Sequence, residues 1–209
     1  DLASSLAMHA MTDLLGDDAR LDYNLRADWY REARKQGLEA LLRMFLPRRS
    51  KLTAPKVHAA SDPIAQYLDR PVPLGEKRSL ARGKDRNVLE RLLLDPHPLV
   101  IRNLLRNPHL TEEWVLRICT RRPITDEVLW EVARSDRWCH RYRVRLALAR
   151  NPYTPTDLAV RCVPELQTPD LRDMAQDLTL HEAVVDSSRE ELARRRPLPS
   201  GGARVGVRR

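Results

Sequence analysis

At 209 residues the chain is long enough for one large or two small domains with a real core, and its 42% apolar and 32% charged residues are ordinary for a helical protein. Seven glycines are few for a sheet with many tight turns, and fifteen prolines in a helical chain belong at helix starts and connections. The net charge of +8 is unevenly spread: six arginines and no acidic residue lie from Arg194 onward, which leaves 31 basic and 29 acidic residues before it, so the body is nearly neutral and composition does not argue for a dedicated nucleic-acid groove.

In chain order, residues 1–46 read as a helical segment. An apolar stretch from Leu2 to Leu15 ends at Gly16, and Asp17 and Asp18 then suit a helix start. Leu21, Leu25, Trp29 and Ala33 recur at four-residue spacing and predict an apolar stripe; after Gly37, a second stripe holds Leu38, Leu41, Leu42 and Phe45. Residues 47–84 are a proline-rich connection with short helices. It holds Pro47, Pro55, Pro63, Pro71 and Pro73 and a basic cluster of Arg48, Arg49, Lys51 and Lys56. A connection of this kind is expected to wrap on the body, with one short helix near Pro63–Leu68.

Residues 85–196 contain a repeat. Val100–Cys119 (VIRNLLRNPHLTEEWVLRIC) superposes without a gap on Val144–Val163 (VRLALARNPYTPTDLAVRCV), an offset of 44 residues. Leu104 then matches Leu148, Arg106-Asn107-Pro108 matches Arg150-Asn151-Pro152, and Arg117 matches Arg161; half-unit echoes stand at Leu94-Asp95-Pro96 and Arg121-Arg122-Pro123. A fixed period built from helix, break and helix is the mark of a solenoid, in which stacked units complete a core that one unit cannot bury. The residue before proline is driven from the α region, so helices are expected to break at Asn107-Pro108, Arg122-Pro123 and Asn151-Pro152. Thr111, Thr125 and Thr154 are expected to cap the helices that follow, and at Thr168-Pro169 proline is expected at the first helical position.

The string VRLALARNPYTP resembles the repeat of bacterial HEAT-like and leucine-rich-variant proteins, over about half of the chain. That resemblance implies an all-α fold, a right-handed α-solenoid of short repeats with an N-terminal helical layer. Some leucine-rich-variant proteins carry a cysteine-bound iron–sulfur cluster near the N-terminus; no cysteine precedes Cys119 here, so no cofactor is expected.

Catalytic readings are weaker. Cys139-His140 is adjacent in sequence, but neighbouring helical residues point about 100° apart, so the pair reads as structural. His97 and His109 lack further ligands at metal-binding spacing, and no metal site is expected. Trp138, Asp136 and nearby arginines are the ingredients of a HEAT-like DNA glycosylase surface, a distant third reading, while Trp114 falls in the register of Leu158 and reads as core. The repeat-equivalent pairs Arg106/Arg150 and Arg117/Arg161 are candidates for rows that bind a phosphate or an acidic partner, with Arg194, Arg195 and Arg196 opening the basic tail. Arg106 and Arg150 also stand where a cation caps a helix C-terminus, and the bias of 32 arginines over 5 lysines also arises from a GC-rich genome. Residues 197–209 are too polar to fold alone and read as a flexible basic arm. Cys119, Cys139 and Cys162 form no CxxC pair and read as reduced thiols of a cytoplasmic protein; no apolar run reaches the ~20 residues of a membrane span. A non-catalytic protein-interaction or scaffold module is therefore expected, with nucleic-acid binding as the alternative.

Overall fold

A computed structural model describes residues 22–46, 50–52 and 62–195. The apolar stretch 2–15, the cluster at Arg48, Arg49 and Lys56, and the arm from Arg196 onward lie outside the described residues. Among those described, all regular structure is helical, with no strand and an isolated antiparallel bridge between Ser50 and Pro155.

The N-terminal pair is α1 (Tyr23–Lys35) and α2 (Glu39–Phe45). Gly37 takes φ +69, and the amides of Gly37 and Leu38 return to Arg34 O and Ala33 O, so glycine's tolerance of the left-handed region folds α2 back on α1. The buried face of α1 differs from the expected stripe: Arg26, Ala27, Tyr30 and Ala33 are buried, while Leu25 is 40% exposed. The partners of α1 are an acidic helix and a histidine, and the face turned to them carries Tyr30, with Arg31 and Arg34 at its edge.

The body runs α3 (Pro63–Leu68), α4 (Leu74–Leu80), α5 (Arg86–Leu92), α6 (Pro98–Leu105), α7 (Glu112–Thr120), α8 (Asp126–Ala133), α9 (Tyr142–Ala149), α10 (Thr156–Cys162), a 3-10 turn (Val163–Glu165), α11 (Thr168–Met174) and α12 (Glu182–Arg194). The breaks fall at Asn107-Pro108, Arg122-Pro123 and Asn151-Pro152 as expected. The two short helices of the connection are part of the body, since Ile64, Val72 and Ala81 join its hydrophobic core. That core is continuous from Ile64 to Val185 and includes Leu104 and Leu148, both essentially inaccessible, and Trp114.

Several helices pack on the next in sequence, and several on the helix two places away. Thus α3 meets α5, α4 meets α6, α6 meets α8, α7 meets α9 and α10 meets α12. Helix starts at 98, 112, 126, 142, 156, 168 and 182 fall 12 to 16 residues apart, so the 44-residue sequence period spans three helices while packing steps by two. Helices α6 and α9, equivalent in sequence, therefore pack on different partners: α6 on α4 and α8, α9 on α7.

One device joins the steps. Past the end of α6, Asn107 Nδ2 donates to Ala81 O (2.8 Å) and Gly83 O (2.7 Å), beyond the end of α4. Past the end of α9, Asn151 Nδ2 donates to Cys119 O (2.7 Å) and Arg121 O (3.1 Å), at the end of α7. In both, the side-chain oxygen accepts the amide two residues on, from His109 and Tyr153. Arginines repeat the step: Arg121 donates to Leu93 O after α5, Arg137 to Asn107 O and Leu110 O after α6, and Arg195 to Leu166 O and Pro164 O after α10. Helix ends expose unpaired carbonyls, and here a helix end two places later satisfies them.

The threonine caps are a correction. Thr111 and Thr125 occupy N-cap positions but make no side-chain cap; Thr125 Oγ1 donates instead to Pro96 O (3.4 Å). Pro155, not Thr154, is the N-cap of α10, and α11 starts at Thr168, one residue before the expected proline. Side-chain caps come from Asp62, Asp85, His97 and His181, whose acceptors reach the second or third amide of α3, α5, α6 and α12.

Candidate functional site

Most of the candidate arginines are met by carboxylates of the chain itself. Arg117 lies 3.9 Å from Glu90, Arg161 3.4 Å from Asp157, and Arg150 2.7 Å from Asp173 and 3.5 Å from Asp170. Arg194 pairs with Glu191 at 2.5 Å; Arg195 reaches the same carboxylate at 2.6 Å as well as two carbonyls. Exposed Arg106 helps hold the Glu131 carboxyl below its usual range, although the bidentate bond from Arg102 is the larger cause. Arg196 lies outside the described residues. Neighbouring arginines are engaged likewise: Arg141 with Glu112, Arg143 with Glu113 and Arg145 with Glu165. Carbonyl capping falls to other arginines, for Arg122 donates to Arg150 O while the Arg150 guanidinium turns to α11.

A second constellation lies where α1 crosses α12. Tyr23 and Tyr30 each meet the ring of His181 in a T-shaped contact, with centroids 5.6 and 6.1 Å apart. His181 caps α12, its Nδ1 accepting the Ala183 amide at 3.0 Å. Burial lowers its pKa to about 4, and Lys51 and Arg31 push the same way, so the ring is neutral and free to accept. Burial also raises the Tyr23 and Tyr30 hydroxyls above the usual phenol range, Tyr23 lying beside Thr156. Around this ring, Arg31 pairs with Glu182 (2.9 Å), and Arg34 with Asp186 (3.2 Å) and Glu190 (3.1 Å). Desolvation raises the Glu182 carboxyl despite Arg31. The connection returns across the same region: Leu52 N–H donates to Pro152 O, and Lys51 Nζ to Leu178 O (3.1 Å) and Leu180 O (2.9 Å).

Two clefts flank α1. One, of about 590 Å³, lies between Tyr30, Arg34, Leu42, Val160, Pro164 and Glu190. The other, of about 630 Å³, lies between Tyr23, Arg31, Lys51, Leu52, Leu178 and Arg189. Leu178, 87% exposed, stands at its mouth. The sequence alone did not mark Arg31 and Arg34, although their three-residue spacing places them on one face of a helix. It carried no sign that their partners lie some 150 residues away.

The remaining candidates resolve into structure. Trp138 is buried, its indole N–H donating to Leu105 O at 2.9 Å with Arg137 stacked on the ring, so it offers no surface to a bound nucleic acid. Cys139 is half-buried and His140 exposed in the turn before α9. Cys119 and Cys162 are buried free thiols, and burial holds both above the usual thiol range, Cys162 at about 11. His97 is a helix cap, and His109 bonds through its amide. Among the described residues no group of three or more His, Cys, Asp or Glu is placed to hold a metal, and no helix is long and apolar enough to cross a membrane. Compared with family models, curated proteins and solved structures, the chain finds no match.

Proposed function

We propose that the chain is a non-catalytic protein–protein interaction module, a right-handed α-solenoid of short HEAT-like repeats that acts as a docking scaffold in the cytoplasm. The two-step packing and the recurring Asn107/Asn151 brackets support the solenoid reading, since each unit is completed by its neighbours. The observation that carries docking over phosphate binding is the pairing of Arg117, Arg150 and Arg161 with Glu90, Asp170, Asp173 and Asp157. A phosphate arriving at these arginines must displace a carboxylate already in place, and the local charge it meets is close to zero.

Duplex DNA titrated into the full chain at two salt concentrations tests this reading. A docking module binds DNA weakly, and by about 0.2 M salt the binding has largely gone. Tight binding that persists at about 0.2 M salt would replace docking with a nucleic-acid function. Cross-linking and co-purification from the native organism then identify the partner.

A further inference from the structure

Helix α12 carries Glu182, Asp186 and Glu190 at four-residue intervals, which places the three carboxylates on one face. Helix α1 carries Arg31 and Arg34 three residues apart, also on one face, and both form ion pairs across the seam. An acidic ridge thus meets a basic one. Ala27, Tyr30 and Ala33 are buried but stand outside the continuous core that joins α3 to α12, and Arg26 is buried on the same face. Clefts of about 590 and 630 Å³ run along both sides of α1. A helix held this way is tied in part by partly exposed ion pairs, which salt weakens, while the stack beneath is held by buried apolar surface, which salt does not weaken.

We infer that the face of α12 bearing Glu182, Asp186 and Glu190 is a receptor groove for a basic helix, filled in this chain by its own α1, and that α1 leaves the groove as a unit while the stack stays folded. The groove supplies a surface for the docking reading and rests on that reading only for the use made of the emptied face. Attachment of α1 is tested by hydrogen exchange, whereas the docking reading is tested by DNA binding, so the two fail separately.

Amide exchange of the full chain resolves the question. On raising NaCl from about 0.05 M to about 1 M, the amides of α1 exchange about tenfold faster while those of α6 and α9 are unchanged. The double variant R31E/R34E shows the same acceleration at low salt. Adding E182K, D186K and E190K to it restores protection, because the two ridges have exchanged sign. Exchange of α1 in step with α6 and α9 under all these conditions would overturn the proposal. So would indifference of α1 to R31E/R34E, or failure of the charge-swapped chain to recover. A general unfolding of the variant would be seen as fast exchange in α6 and α9 as well, and it too would count against a separable α1.

Discussion

Asn107 and Asn151 are each 2% exposed and each close three hydrogen bonds, two given to carbonyls of the helix end two places earlier and one accepted from an amide. Alanine at either position strands one buried and one partly buried carbonyl, and urea unfolding should record a loss of about 1–3 kcal/mol for each substitution. Aspartate keeps the acceptor but turns a negative group toward those carbonyls, so Asn107→Asp is expected to cost more than Asn107→Ala. For scale, Leu104→Ala or Leu148→Ala removes fully buried methyl groups and should cost about 2–5 kcal/mol. A loss below about 0.5 kcal/mol at either asparagine would remove the bracket from the account of stability. These residues show what was legible and what was not. The X-Pro breaks were readable because they act on the neighbouring φ and ψ alone. The donors of Asn107 and Asn151 were not, because their acceptors lie 24 to 32 residues away. Thr125 misled for the same reason, since local cap grammar cannot foresee a competing acceptor such as Pro96 O.

Helix α12 depends on its neutral histidine, and that dependence has a pH signature. The folded pKa of His181 is lowered to about 4, below the 6.5 of an unperturbed imidazole, so the unfolded chain binds the proton more readily. Stability from this residue is therefore fully present above about pH 6.5, declines as pH falls, and reaches its floor near pH 4. Protonation would remove the acceptor for the Ala183 amide and set a cation beside Lys51 and Arg31. His181→Asn keeps an N-cap acceptor without a titrating ring, so its unfolding free energy should fall less than that of the natural chain between pH 7 and 4. Carboxylates titrate in both proteins, and the difference between the two curves isolates the histidine; parallel curves would contradict the assignment. Helix existence was readable for α1, α3 and most of the body, but the phase of α1 was not. Its stripe of Leu21, Leu25, Trp29 and Ala33 promised an apolar face, whereas the partner it meets is the acidic ridge and His181 of α12.

At the scale of the whole molecule, a 44-residue period in the sequence suggested that Arg106 with Arg150, and Arg117 with Arg161, stack as rows, whereas packing advances two helices at a time and sends α6 and α9 to different partners. With those arginines largely met by carboxylates, the tail is where unbalanced charge remains, and its boundary now follows from structure. Arg194 and Arg195 belong with α12, Arg195 holding Leu166 O and Pro164 O, so a deletion that begins at Arg194 would injure the fold. Deletion of 196–209 removes Arg196, Arg204, Arg208 and Arg209, four cations and no anion, and spares the bracket. Thermal unfolding of the shortened chain should match that of the full chain. Its affinity for duplex DNA or heparin should drop, and the slope of log K against log salt should shrink by about 3–4, since each phosphate neutralised contributes about 0.9. An unchanged slope would mean that the phosphates are held by the body. The Arg117–Glu90 and Arg150–Asp173 pairs would then be the places where a phosphate has displaced a carboxylate, and Arg117→Gln or Arg150→Gln should lower the slope where the deletion had not.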